Sequence, residues 1–217
     1  MTQKNCCTLN TFNGDYESYW NSVFEEEKTH NWQEGTDLAI DRWLENPLVK
    51  QAETVMCAGV GDSFLVDKLL QKEHTQIIAN DISELALRRL QKRIGTNEAV
   101  EYVAADLMQA DRLLQYEQKL DVWIDRATLH FFTTCADKDR YFQLVDKLLK
   151  PNGIAIIGVF SKNNVATCCG LELQLWSQQS LQNRFKGYEV LDAFHENFTE
   201  QDSTHREYVY LMVQKNK

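Results

Sequence analysis

The chain has 217 residues, 43% of them hydrophobic and 25% charged, and its 23 lysines and arginines against 32 aspartates and glutamates leave a net charge of −9. A chain of this size buries one full core and has no room for a second catalytic domain. Its acidic balance repels polyanions, which sets nucleic acid and acidic membrane surfaces aside as partners.

No apolar run approaches the roughly 18 residues of a membrane-crossing helix, and the polar start MTQKNCCTLN lacks the apolar stretch of a secretory signal. The six cysteines form no Cys-x-x-Cys pair. A cytoplasmic protein with reduced thiols and no bound metal is the expectation.

In chain order, Asp37 to Leu44 has helical apolar spacing and is ended by Asn-Pro, and TVMCA then reads as a buried strand. Phe64 to Leu70 is helical, TQIIAN a strand, and Ser83 to Ile94 a helix with Ser83 as its cap. Within that helix Leu87, Leu90 and Ile94 form the apolar stripe, so the charges of ALRRLQKR belong to a solvated outer face. AVEYVAA is an alternating strand, LDVWID another, Lys138 to Leu149 a helix, and GIAIIGVF a buried strand. After these come a helix near Ser177 to Phe185 and two strands, YEVLDAF and REYVYLMV, that can pair as a terminal antiparallel hairpin. Such alternation predicts an α/β fold: a mostly parallel sheet of seven strands with helices on both faces and ligands at the carboxyl ends of the strands.

The stretch VMCAGVGDSF, Val55 to Phe64, joins the first strand to its helix. A dinucleotide loop places a third glycine three residues after the second, where this chain has the bulky Phe64. A Walker loop needs a Gly-Lys-Ser/Thr that does not follow. CAGVGDS instead resembles the acidic-x-G-x-G-x-G pattern of class I methyltransferases that use S-adenosylmethionine, with Gly59 and Gly61 in place, Ser63 at the third glycine and Cys57 at the acidic position. By itself the loop reads equally as an ordinary glycine turn.

The next strand ends carry further matches. Asp81 lies at the tip of the second strand, 22 residues after Gly59, where a rigidly held carboxylate accepts hydrogen bonds from two ribose hydroxyls. A plain turn or cap residue is the competing reading. The resemblance implies that Ile82 also faces the cofactor, that Asp106 accepts from the adenine amino group, and that Leu107 covers the ring. LLKPNG, Leu148 to Gly153, is similar to the superfamily's turn into the fifth strand.

The fourth strand runs into DVWIDRATLHFF. Asp125 stands where the superfamily places substrate-facing chemistry, and with the faces of Trp123 or Phe131 it is expected to favour the donor's positive charge. His130 is the candidate general base, since an unperturbed imidazole titrates near neutral pH, with Asp125 orienting it or gripping a substrate amine. An inert, hydrogen-bonded histidine is the alternative. Arg126 follows at the same strand end, and Tyr19, Trp20 and Trp32 of the aromatic amino-terminal segment are candidates for an acceptor-shaping lid. Cys168 and Cys169 read as structural or incidental thiols.

Nearly the whole chain, through YWNSVFEEEKTHNW, GDSFLVD, DISELAL, DVWIDRATLHFFT, KDRYFQLVDKLLKPNG and CCGLEL, resembles a bacterial family of small methyltransferases with DRAVFHFLT-like motifs. That family is related to the thiopurine methyltransferase type and similar, in its YW start, to elongation-factor lysine methyltransferases. The resemblance implies one domain: lid helices over 1–46, a cofactor-binding core over 53–160, and a substrate loop with the terminal hairpin over 161–217. It implies methyl transfer from S-adenosylmethionine to sulfur or nitrogen of a small molecule. Protein lysine methylation, which an acidic chain suits, and a non-catalytic cofactor-binding module remain alternatives.

Overall fold

The computed structural model describes residues 12–25, 39–72, 76–199 and 205–217. Helix α1 spans Tyr16–Glu25, and two single turns, α2 at Asp41–Leu44 and α3 at Pro47–Lys50, precede strand β1 at Thr54–Ala58. Alternation then continues through α4 (Leu65–Gln71), β2 (Gln76–Asp81), α5 (Glu84–Ile94), β3 (Val100–Ala104), β4 (Leu120–Arg126), α6 (Cys135–Leu148) and β5 (Leu149–Phe160). A small hairpin of β6 (Thr167–Cys168) and β7 (Leu171–Glu172), the short helix α7 (Gln178–Gln182), and the strands β8 (Tyr188–Thr199) and β9 (His205–Lys215) complete the order.

Seven strands form one sheet in the order β3-β2-β1-β4-β5-β9-β8. The first five are parallel to their neighbours, and β9 lies antiparallel between β5 and β8. Alternation of helix and strand forces this arrangement, because parallel neighbours need a crossover helix while the last two strands are joined directly.

Helix starts are set locally. The Ser83 hydroxyl accepts from the Ala86 N–H, Thr134 from Asp137, and Ser177 and Ser180 form a reciprocal box at α7, each such cap contributing about 1 kcal/mol. The expected helix over Asp37 to Leu44 is shorter where it is described, since α2 holds only Asp41–Leu44. Asn-Pro does more than end it: Asn46 Oδ1 accepts from the Leu48 N–H and Pro47 opens a new turn. The pair β6–β7 and two 3-10 turns, Ala110–Tyr116 and Leu129–Phe131, were not foreseen.

Burial follows the two-residue period of the strands. Val55, Cys57, Ile77, Ala79, Val122 and Ile124 point to one face, where Trp43, Leu44, Val66, Leu69, Leu87 and Leu90 cover them. Met56, Ala58, Ile78 and Trp123 point to the other, beneath Tyr141, Leu144, Val145 and Leu148 of α6. No helix among the described residues is long and apolar enough to cross a membrane.

Candidate functional site

A cavity of about 390 Å³ opens at the carboxyl ends of β1 to β5, walled by the glycine loop, the tips of β2, β3 and β4, the turn after β4, and Cys168 and Cys169. Tyr16, Trp20 and Phe24 of α1 roof it. Asn21 docks this roof by accepting from the Ser83 hydroxyl and the Leu85 N–H at the start of α5. Its size falls within the range of small-molecule sites.

Gly59 and Gly61 both adopt left-handed backbone, φ +57° and +58°, which only glycine enters without cost. A Cβ on Gly59 would lie 1.9 Å from Thr128 Oγ1, so the turn after β4 packs directly onto the loop. Asp81 holds the same loop from the other side: one carboxylate oxygen accepts from the Gly61 N–H at 2.8 Å and the other from the Ser83 N–H at 2.8 Å. Burial pushes this carboxyl up to about 6, against the lowering pull of the backbone N–H groups of Ser83, Gly61 and Ile82. Each oxygen keeps a further lone pair, and Asp81 lines the cavity together with Ile82, Asp106 and Leu107. Asp81 is therefore both a loop clamp and a candidate ribose acceptor, combining the two readings that its position offered. Asp106 Oδ1 accepts from the Met108 N–H, fixing the tip of β3.

One lining residue escaped the sequence reading. Asn80 donates through Nδ2 to the carbonyls of Val103 and Ala105, and its buried Oδ1 has no hydrogen-bond partner. An asparagine inside an otherwise apolar strand was the available signal. A buried amide oxygen left unpaired costs about 1–3 kcal/mol, which a ligand N–H or O–H in the cavity would recover.

Several nominated residues sit elsewhere than expected. Cys57 is fully buried in the core on the same face as Val55 and does not line the cavity; burial pushes its thiol well up. Asp125, also fully buried, shares the face of Trp123 and turns beneath α6. Its oxygens accept from the Thr128 N–H at 2.9 Å, the Leu129 N–H at 3.1 Å and the Tyr141 hydroxyl at 2.6 Å, and Tyr141 in turn accepts from Trp123 Nε1 at 3.1 Å. Asp125 thus anchors the turn, and neither it nor Trp123 is among the residues that line the cavity. Tyr19 is buried and donates its hydroxyl to the Cys169 carbonyl instead of lining the cavity. Trp32 lies outside the described residues. Trp20 is on the wall, edge-on to Phe131 at 5.0 Å, and Arg126 is there too, its guanidinium 4.7 Å from the Tyr208 ring centre.

His130 lines the cavity, but its environment is wrong for a base. The ring is packed between Phe131 and Phe160, and Nδ1 accepts the Phe160 N–H at 3.4 Å. A backbone N–H only donates, so the neutral ring carries its proton on Nε2 and can offer it as a donor. Burial first, then the positive charges of Arg126 and Arg206, push the imidazole down to about 3. A folded-state value below the ordinary 6.5 means stability that is present above pH 6.5 and lost as pH falls toward 3. Between pH 7 and pH 5 the wild type is expected to lose about 2 kcal/mol more than His130→Phe. Urea unfolding at both pH values measures this, and equal losses would show a solvated imidazole.

Comparisons with known proteins agree with this geometry. A family model described as a methyltransferase domain matches residues 56–155. No curated protein sequence matches the chain. Among solved structures, an S-adenosylmethionine-dependent methyltransferase from Anabaena variabilis superposes with a TM-score of 0.74 at 14% identity, covering 93% of each chain. The 1,6-didemethyltoxoflavin-N1-methyltransferase of Burkholderia thailandensis, solved with that compound and S-adenosylhomocysteine, gives 0.61 at 19% identity over 82% of each chain. The [4+2]-cyclase SpnF gives 0.63 at 14% identity, covering 81% of this chain and 80% of its own. At these identities the structural likeness speaks for the fold. Residues 56–155 match the methyltransferase-domain model, and the chain shares the Rossmann-like fold of these solved structures.

Proposed function

We propose that the protein methylates a sulfur or nitrogen atom of a small molecule, with S-adenosylmethionine as donor. The cofactor supplies an electrophilic methyl group on a sulfonium. Gly59 and Gly61 let the backbone approach its methionine end, Asp81 accepts from the ribose, and Ile82, Asp106 and Leu107 hold the adenine. Asn80 Oδ1 offers one more acceptor in the same wall.

The observation that carries the acceptor reading is the state of His130 and Asp125. Both are already hydrogen-bonded within the protein, and the imidazole is too weak a base to remove a proton near neutral pH. Such a site suits an acceptor that arrives with its lone pair exposed, a thiolate or an unprotonated ring nitrogen, and works by holding it in line with the methyl group. Aromatic walls from Trp20, Phe131, Phe160 and Tyr208 favour a flat, apolar body.

Incubation with methyl-labelled donor and a cell extract tests this: label in small molecules supports it. Label in a protein band alone replaces it with protein methylation. Binding of S-adenosylhomocysteine without any labelled product leaves a cofactor-binding module. The cofactor assignment has its own check. Asp81→Asn is expected to weaken S-adenosylhomocysteine binding by about 1.5–3 kcal/mol, the value of hydrogen bonds to a charged acceptor, in calorimetry. Unchanged affinity removes Asp81 from the cofactor site.

A further inference from the structure

Cys168 and Cys169 stand side by side on the cavity wall, 7% and 5% exposed, with their sulfurs 3.6 Å apart. Cys168 pairs with Leu171 across the small hairpin, and the two residues between them, Cys169 and Gly170, have φ of +50° and +73°. Positive φ at both central positions defines a tight turn that favours Asn, Asp or Gly. An L-cysteine at its first position costs about 1–2 kcal/mol. That strain holds the second sulfur beside the first, and the Tyr19 hydroxyl secures the turn through the Cys169 carbonyl.

The spacing selects what such a pair can bind. With bonds to sulfur of about 2.3 Å, a linear two-coordinate ion needs sulfurs about 4.6 Å apart, so 3.6 Å is too short. The same bond length with the observed separation gives an S–X–S angle of about 100°, that of a tetrahedral or pyramidal centre. A tetrahedral zinc site takes three or four protein ligands, and among the described residues no cluster of three or more His, Cys, Asp or Glu is placed to hold a metal. What fits two sulfurs at this angle is a pyramidal centre that brings its third bond with it.

We infer that Cys168 and Cys169 form a two-thiol capture site for a trivalent metalloid carrying one organic substituent, such as a monoorgano-arsenical. Two As–O bonds break and two As–S bonds form; the thiol protons leave with the two hydroxyl groups as water, and arsenic stays trivalent. The second bond closes within the protein, so the effective concentration of its thiol is far above that of any free monothiol. The site is independent of methyl transfer, although its occupant shares the acceptor end of the cavity.

The test uses phenylarsine oxide as probe. A second adjacent pair, Cys6-Cys7, is present in the chain, so the background protein carries Cys6→Ser and Cys7→Ser. One adduct per chain by intact mass, stable to excess 2-mercaptoethanol and removed by 2,3-dimercaptopropanol, is expected. Cys135→Ser leaves it unchanged. In the same background, Cys168→Ser and Cys169→Asn are each expected to weaken capture at least 100-fold. Cys169→Asn separates capture from folding, because asparagine suits the left-handed turn and should preserve or raise the melting temperature. No stoichiometric adduct in the background protein, or one that survives the monothiol wash in Cys168→Ser or Cys169→Asn, overturns the assignment.

Discussion

Gly59→Ala is expected to destabilise the protein by about 2–4 kcal/mol, the sum of left-handed strain and overpacking, and to abolish measurable cofactor binding. The new methyl group would meet Thr128 Oγ1 at 1.9 Å and Cγ2 at 2.8 Å, so either the glycine loop or the turn after β4 must move. Gly61→Ala is the internal comparison. Its backbone is equally left-handed, but the nearest atom is the edge of the Phe24 ring at 3.3 Å, which leaves mainly the conformational cost of about 1–2 kcal/mol. Adding Thr128→Ala to Gly59→Ala should recover part of the loss, since it removes the two nearest clashing atoms and leaves only the Thr128 Cβ at 2.9 Å. Urea unfolding and calorimetry with S-adenosylhomocysteine measure the series. Equal losses at the two glycines would remove Thr128 from the account.

Asp125→Asn is expected to cost about 2–4 kcal/mol of folding stability, because three donors converge on the carboxylate and an amide nitrogen cannot accept from any of them. Its pH dependence has a definite sign. Burial, opposed by the hydrogen bonds from Tyr141, Thr128 and Leu129, pushes the folded-state carboxyl up to about 6 from the ordinary 3.8. The folded chain therefore binds more protons than the unfolded chain across that interval, and the stability contributed by Asp125 falls as pH rises from about 4 to about 6. The substitution is thus most costly near pH 4, and its cost shrinks toward pH 6 and levels off above it. A cost that grows with pH would mean that the carboxylate is held ionised. Because Asp125 lies off the cavity wall, loss of turnover in this variant should track loss of the folded turn, and residual folded protein should bind the cofactor.

The placement of Asp125 beneath α6 was open to the pleat of its strand. Val122 and Ile124 point to one face of β4 and Trp123 and Asp125 to the other, as the pleat requires. Carrying that alternation to the strand tip would have placed the carboxylate beneath α6 with Trp123. The resemblance to a family position instead suggested a residue facing ligand. Cys57 follows the same rule, since it shares the buried face of Val55.

Other site features had no signal in the neighbouring residues. The hydrogen bond that occupies His130 Nδ1 comes from Phe160, thirty positions away, and the group that seats Tyr19 is the carbonyl of Cys169. Neither partner is marked by a motif. The adjacent thiols were visible as letters, but their shared wall and the left-handed turn that aligns them depend on the pairing of β6 with β7 beside the cavity.

By itself the sequence determined the order of strands and helices, the glycine pair that enters left-handed backbone, and the acidic residues at successive strand tips. These are local properties, set by periodicity, capping and the absence of a side chain. Only the tertiary structure decided which tip carboxylates face the cavity, which imidazole nitrogen is already used, and which thiols share a wall. Those outcomes depend on pleat direction and on hydrogen-bond partners far along the chain, whose lone pairs and N–H groups, once engaged, are no longer open to chemistry.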